Sequence, residues 1–384
     1  MGLWSTRYPG TRRMLRAPCH DHLMATDMPQ LGLPVEPPVS PMLAAGGDTS
    51  VPVGPLLAYE PKWDGFRALI FRAVDSVIIQ GRGGDDLAYA FPEIVESAKV
   101  HLPERVVLDG ELVIIRNGVL DFPAMGARIR PRSEAGGRAI TEMSERTPAT
   151  YIAFDLLAIG DESLMDRPYA DRRTALTDLR LSDLRMRTTP ATDDHALATQ
   201  WFHRFEGGGL DGLIVKDVTA PYSPGKRSLR KVKHQRTLDA VVAGWRGHAK
   251  NADEVGSLLL GLYDGETLHH VGVASGFNAR FRAELTDLLS ALTLTEAADH
   301  PWRGEATPQQ RRPGALNRWS RGRSSDWHAL PPDRVAEVTF DQFEGDRLRH
   351  VARWVRWRPD RAPASCTVEQ IPHPDPVDIA TFLS

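Results

Sequence analysis

The feature that most constrains this chain is a rhythm of short apolar, β-branched runs that fall into two blocks. In the first block, residues 56 to about 233, Val106–Ile115, Tyr151–Leu157 and Leu213–Val215 read as buried strands, and helical stretches alternate with them. Asp166–Leu181 is expected as a helix, with Leu176 and Leu179 inward and Arg172, Arg173 and Arg180 outward. Arg128–Thr147 is polar and contains glycine, so it reads as a surface excursion. The second block begins near Leu238. Asp239–Trp245 is a strand, and Ser257–Tyr263 and Leu268–Val273 flank Asp264-Gly265, a hairpin signal. Asn278 is placed to cap a helix whose Leu285, Leu288, Leu289 and Leu292 recur at i, i+3, i+4, i+7. With Val335–Phe343 and Arg349–Arg358, the block has five or so strands and one helix, which suits a small closed barrel. A hinge is expected near His234–Thr237.

Length agrees with two units, since 384 residues exceed one ordinary domain. Residues 1–38 mix Arg, Pro and Gly without periodicity and are expected to be a loose leader, or to follow from an upstream start with Met24 or Met28 as the natural one. No apolar core follows their basic residues, which excludes a secretory signal. No run of about 18 apolar residues is present, so no membrane helix is expected. Cys19 and Cys366 cannot build a disulfide framework, and no Cys or His has metal-ligand spacing; a reducing, intracellular setting is expected.

The net charge of -3 argues mildly against a nucleic-acid partner, but local charge argues otherwise. Lys226–Arg236 carries six basic residues and no acid, and Arg311–Arg323 carries five arginines and no acid. Both are candidate phosphate-binding surfaces, with solvated loops as the competing reading.

Glu60-Pro61-Lys62-Trp63-Asp64-Gly65-Phe66-Arg67 is the most informative segment. A lysine in a strand-like, aromatic stretch is unusual. Fewer than about one free lysine in a thousand is uncharged at neutral pH, so a nucleophilic one needs desolvation or nearby cations. Gly65 permits close approach of backbone to a ligand. A surface lysine beside a turn is the competing reading. Asp109 and Glu111 are two apart on one strand face and together suit Mg²⁺, although paired acids at a strand end are also commonly solvated. Asp211 and Lys216 bracket Gly212-Leu213-Ile214-Val215. Lys231 and Lys233 share a strand face with Val232 turned to the core, an arrangement that calls for an anion such as phosphate.

This order of segments resembles the covalent nucleotidyltransferase superfamily of DNA ligases, RNA ligases and mRNA capping enzymes, over most of residues 39–361. Lys62-Trp63-Asp64-Gly65-Phe66-Arg67 matches its K-x-D-G-x-R signature. Within it the chain resembles the small bacterial ATP-dependent DNA ligases of the mycobacterial ligase C type, with which Ser40–Ala44, Gly256–Gly261 and Arg356–Arg361 are shared. The resemblance implies an α+β class: an adenylation domain of antiparallel sheets with helices at residues 39–235, then an all-β oligonucleotide-binding (OB) barrel at residues 236–384. It implies sealing of nicks in duplex DNA with ATP and Mg²⁺ or Mn²⁺, by a monomer in the bacterial cytoplasm at the nucleoid, alongside repair proteins. An RNA ligase, a GTP-using capping enzyme and a nucleic-acid-binding protein with a degenerate pocket are the alternatives.

Residue by residue, the resemblance makes Lys62 the nucleophile and Glu60 the reader of the adenine edge. Arg67 and Arg82 would contact the sugar and later the nick phosphate. Glu111 would contact ribose or hold metal, and Asp211 would hold metal. Phe154 and Ile214 would sandwich adenine, and Lys231 and Lys233 would grip the α-phosphate. Arg358, Asp360 and Arg361 would swing in from the barrel to orient pyrophosphate. Read from the residues alone, Arg356 and Arg358 share a strand face without a nearby acid. The chain departs from the family pattern at Asp211, where Glu is frequent, at Leu229, where Trp is usual, and at Arg361, where Lys is frequent.

Overall fold

A computed structural model of the chain describes residues 28–129, 136–295, 299–303, 309–314, 326–372 and 374–383. The expectations attached to Cys19, Arg318, Arg321 and Arg323 lie outside these residues.

Among the described residues the first block has ten principal strands: β1 (Leu43–Asp48), β2 (Leu57–Pro61), β3 (Phe66–Ala73), β4 (Ser76–Gly81), β5 (Arg105–Val113), β6 (Thr150–Ile159), β7 (Glu162–Ser163), β8 (Met186–Thr188), β9 (Leu213–Asp217) and β10 (Arg227–Val232). Five α-helices accompany them among the same residues: α1 (Pro92–His101), α2 (Phe122–Arg128), α3 (Gly137–Arg146), α4 (Tyr169–Asp178) and α5 (His195–Arg204). One sheet has the order β8-β6-β5-β3-β4, with β7 on β6; the other has the order β1-β10-β9-β2. The pairing is mainly antiparallel, but β1–β10 and β6–β8 are parallel, which the expectation of antiparallel sheets did not include.

Strand β3 explains why the buried runs lack alternation. Ala68 and Ile70 enter a core with Ile94 and Ala98 of α1 and Leu176 of α4. Leu69 and Phe71 enter a second core with Leu229 of β10 and Tyr222. Successive side chains point to opposite faces, so the larger sheet is a central layer with helices on one face and the smaller sheet on the other. Helix α5 covers the far face of the smaller sheet, where Ala198 and Phe202 meet Tyr59, Leu213 and Val232. Each fully buried Leu or Ile stabilises this stack by ~1.5–3 kcal/mol.

Three local expectations are corrected here. Arg172 is not outward: it is 1% exposed and donates through Nε to Asp155 Oδ1 at 2.7 Å. Its Nη1 donates to Arg167 O and Ala220 O. Helical periodicity reads charge as outward, whereas a buried guanidinium is stable when a carboxylate and carbonyls satisfy it. Residues 128–147 are not simply a surface excursion. Arg128 is buried at the end of α2 and pairs with Glu93, and Gly137–Arg146 is helical with no buried residue. Residues 28–38 are not loose. Leu33 and Val35 pack with Phe71 and Val107, and the Glu36 carboxylate accepts from the Leu31 and Leu33 amides.

The second block forms a closed barrel in the order β11-β12-β13-β15-β14. Its strands are β11 (Arg236–His248), β12 (Asn251–Asp264), β13 (Thr267–Ser275), β14 (His328–Phe340) and β15 (Ala352–Trp357). Asp264-Gly265 turns between β12 and β13, with Gly265 at φ 56°, a conformation glycine adopts at no steric cost. Asn278 Oδ1 accepts from the Phe281 amide and caps α6 (Ala279–Ser290). Leu285 and Leu289 are buried, but Leu288 is 41% exposed, so the stripe is narrower than its spacing suggests.

The chain does not stay on the barrel to its last described residues. Ile371 is still in the barrel core. Ile379 is fully buried with Trp63, Val113, Ile152, Phe205 and Leu210 of the first block. Among the described residues no helix is long and apolar enough to cross a membrane.

Candidate active site

The two sheets of the first block splay apart around a cleft of about 770 Å³, and the Lys62–Arg67 segment crosses its floor. Pairing between β2 and β9 continues one step past the strands. Lys62 N donates to Gly212 O at 2.9 Å, and Asp211 N donates to Lys62 O at 3.0 Å. Gly212 has φ 118°, and a Cβ there would lie 2.0 Å from Val232 O, so glycine is required where the two chains meet. Trp63 is buried and donates through its indole to Thr189 Oγ1 at 2.9 Å. Lys62 is thereby clamped at its backbone while its side chain enters the cleft. Gly65 lines the cleft and is required by the fold itself, since a Cβ there would lie 2.0 Å from the Leu112 carbonyl oxygen.

Lys62 Nζ pairs with Asp211 Oδ2, and Lys233 Nζ lies 2.8 Å from the same oxygen. Burial alone would raise Asp211, but the two ammonium groups outweigh it and lower its pKa. Burial disfavours the Lys233 ammonium, yet Asp211 and Asp341 raise it. Lys231 is lowered, first by burial and then by Lys233 and Lys62. Lys62 and Lys233 thus share one carboxylate while Lys231 lines the same cleft, which leaves positive charge for a phosphate.

The inner end of the cleft is a buried charge network. Lys216 and Glu60 are 3% and 2% exposed, with Lys216 Nζ 2.9 Å from Glu60 Oε2 and 3.8 Å from Asp155 Oδ2. Lys216 also donates to Phe154 O at 2.8 Å, and Tyr169 Oη donates to Glu60 Oε1. Phe154 and Ile214 both line the cleft, and the Arg67 guanidinium sits 4.6 Å from the Phe154 ring centre. The role of Lys216 was missed in the sequence, where it marked only the end of a strand. Its signal was a lysine inside an otherwise apolar strand.

Asp109 and Glu111 part company. Asp109 is fully buried, accepts from Arg67 Nε at 2.6 Å and from Tyr222 Oη at 2.6 Å, and is not available to an ion. Glu111 lines the cleft, and burial pushes its pKa up to about 7 against Arg67 and Lys62, with Asp64 and Asp109 adding to the rise. Among the described residues no group of three or more His, Cys, Asp or Glu is arranged to hold a metal.

Arg82 is exposed at the rim in the turn after β4, and so is Arg227. Arg230 is paired with Asp48 at 3.0 Å, an acid brought in from β1. Arg311 is paired with Asp346. The barrel reaches the cleft by the turn around Asp341–His350 and not by its last strand. Asp341 lies 3.3 Å from Lys233 and 3.0 Å from His350. Arg349 pairs with Asp64 and lies 3.8 Å from the Phe122 ring centre. Nothing in the local sequence distinguished Arg349 from other barrel arginines.

Arg358 and Arg361 are not at the cleft. Arg358 binds both oxygens of Asp239 at 3.0 Å and Asp360 at 2.7 Å, and Arg361 lies 3.3 Å from Asp239. Arg356 pairs with Glu337. The expected face without acids is therefore corrected: Asp239 and Glu337 come from β11 and β14, remote in sequence.

Residues 41–233 match the family model described as the ATP dependent DNA ligase domain, and residues 251–361 match the ATP dependent DNA ligase C terminal region. The chain is 44% identical over 364 residues to DNA ligase C of Mycobacterium tuberculosis, covering 91% of this chain and 98% of that protein. It is 29% identical to the multifunctional non-homologous end joining DNA repair protein LigD of the same species, over 86% of this chain and 40% of LigD. A solved structure from a study of Lig E DNA ligases superposes with a TM-score of 0.50 at 16% identity, over 83% of this chain and 100% of that one, a likeness of fold alone. With both family models in chain order and a relative matched along almost its whole length, the chain belongs to the ATP-dependent DNA ligases.

Proposed function

We propose that this ligase seals nicks in duplex DNA by three phosphoryl transfers through Lys62. The observation that carries the reading is the pairing of Lys62 and Lys233 with Asp211, in the cleft that Lys231 also lines. In the first transfer the deprotonated Lys62 Nζ attacks the α-phosphorus of ATP; a P–N bond forms and pyrophosphate leaves. The 5′-phosphate of the nick then attacks that phosphorus, the P–N bond breaks, and Lys62 regains a proton. Last, the 3′-hydroxyl attacks the adenylylated 5′-phosphate and AMP leaves. Each transition state carries negative charge on the phosphate oxygens, so positioning and cations supply most of the rate.

Asp211 orients the Lys62 amine, and Lys231 and Lys233 hold the α-phosphate. Phe154 and Ile214 flank adenine, since every base offers a face to an aromatic ring. Glu60 has two acceptor sites filled by Lys216 and Tyr169. A carboxylate has about four, which leaves capacity for an adenine amino group. Arg67 and Arg82 meet sugar and nick phosphate, with Arg67 aimed by Asp109.

A divalent ion fits the acids only partly. Glu111 is a desolvated carboxylate short of cations. Asp211 already holds two ammonium groups. Glu111 would be the carboxylate that holds Mg²⁺ or Mn²⁺, and Asp211 would be the second; Mg²⁺ ordinarily takes one or two carboxylates plus substrate phosphates. When bound, the ion neutralises charge on the phosphates. Arg358 and Arg361 serve pyrophosphate only after the barrel rotates. Residues 39–235 and 236–371 are the units that move, acting as a monomer on DNA in the cytoplasm and nucleoid beside repair proteins. The relationship to LigD supports the repair setting.

The test is covalent labelling. Intact-mass analysis after incubation with ATP and Mg²⁺ should show one added AMP on Lys62 in the wild type and none on Lys62→Ala. A label mapped to Lys216, Lys231 or Lys233 would sink the assignment.

A further inference from the structure

We propose that segment 375–383 is a positioning strap, which packs behind Trp63 to hold the Lys62 backbone and ties the barrel to the first block at a second point. The proposal rests on Lys62 being the nucleophile. Three observations lead to it.

The strap has a built seat. Ile379 is fully buried beside Trp63, Phe205 and Leu210. Its amide donates to Gly118 O at 2.7 Å, and Arg187 Nη1 donates to Leu383 O at 2.8 Å. The Phe382 ring stacks on Phe205 at 4.0 Å, meets Trp201 edge-on at 5.0 Å and faces Trp63 at 6.4 Å.

Glycines shape that seat. A Cβ on Gly207 would lie 1.7 Å from Asp375 O, one on Gly208 would lie 2.5 Å from Ile379 Cγ1, and one on Gly118 would lie 2.8 Å from Asp378 Oδ1. At Gly207 the clash is with backbone, so no side chain fits there while the strap is docked; at Gly208 and Gly118 a side chain would have to displace Ile379 or Asp378.

The strap also lies one residue from the chemistry. Trp63 follows Lys62, and besides its indole bond to Thr189 it is held by packing in the cluster of Val113, Ile152, Phe205 and Leu210 that Ile379 and Phe382 close. Pro372 and Pro374, on the connector, line a small cavity together with Asp211, the partner of Lys62. From Ile371 in the barrel core to Val377 on the first block the chain has six steps, three of them onto prolines. At about 3.1 Å per residue these reach roughly 19 Å. The other connection runs only from Val232 to Arg236. A barrel held by two short tethers turns about the line joining them, so the hinge expected near His234–Thr237 is half of the pivot.

The test measures single-turnover AMP transfer to Lys62 against ATP concentration for the wild type, Phe382→Ala, Phe382→Tyr and a chain stopped after Pro374. The expected result for Phe382→Ala is a maximal rate lowered at least tenfold with KM for ATP within about threefold, because Phe154, Glu60 and Lys216 are not touched. Phe382→Tyr should restore the rate, and a synthetic peptide of residues 375–384 should partly restore it to the shortened chain. If the shortened chain does not fold, the two Phe382 variants decide. A folded Phe382→Ala with the wild-type maximal rate overturns the strap, and so does a rise in KM alone. Mapping the AMP in the wild type separates the two failures: a label elsewhere than Lys62 defeats the nucleophile assignment, not the strap.

Discussion

Replacing Lys216 with methionine tests how much the inner end of the cleft depends on one ion pair. Lys216 Nζ lies 2.9 Å from Glu60 Oε2 and 3.8 Å from Asp155 Oδ2, with all three side chains at most 3% exposed. At an effective dielectric of about 20, a pair at the shorter distance attracts by about 6 kcal/mol. Removing the lysine also removes its own desolvation cost, so the net loss is smaller. Asp155 keeps Arg172 at 2.7 Å, but Glu60 keeps only the Tyr169 hydroxyl. A buried charge left without its partner costs ~3–5 kcal/mol. For a unit of this size each kcal/mol moves the melting temperature by about 2–4 °C, so Lys216→Met should lower the first calorimetric transition by roughly 6–20 °C. Adding Glu60→Gln removes the stranded charge and leaves an acceptor for Tyr169, so the double variant should recover at least half of the loss. The reasoning fails if Lys216→Met costs under about 1 kcal/mol, or if the two substitutions simply add.

The remaining predictions concern the chemistry. Burial raises Glu111 from 4.5 to about 7, so between these values the folded chain keeps a proton that the unfolded chain has lost. Stability from this group is present below about pH 4.5 and is lost as pH rises to 7; Glu111→Gln should flatten that slope in urea titrations, and an unchanged slope counts against the assignment. Adenylylation should stop in EDTA and return with Mg²⁺ or Mn²⁺, and Asp211→Glu should retain it if carboxylate reach is not limiting; full activity without a divalent ion refutes the metal reading. Arg358→Ala and Arg361→Ala should greatly slow adenylylation, yet seal a pre-adenylylated nick within about tenfold of wild type, a barrier change near 1.4 kcal/mol. Equal loss in both assays makes these arginines structural, in keeping with their pairing to Asp239.

Short-range order along the chain was enough for the two-block organisation, the hairpin at Asp264-Gly265, the Asn278 cap and the family signature around Lys62. Each depends on residues within a few positions of one another, where propensity and spacing act directly. The acids were where local reading failed. Asp109 and Glu111 are two apart on β5, yet one is sealed under Arg67 and Tyr222 and the other faces the cleft. Arg172 looked outward-facing and Arg358 looked free of any acid because their partners, Asp155 and Asp239, come from other strands. The packing of Ile379 and Phe382 behind Trp63 joins residues more than 300 positions apart. Burial and pairing of charge are properties of the space between elements, and no window along the chain contains that space. What a short segment can bond to within itself was therefore legible beforehand, and which carboxylate meets which cation emerged only when the sheets and the barrel came together.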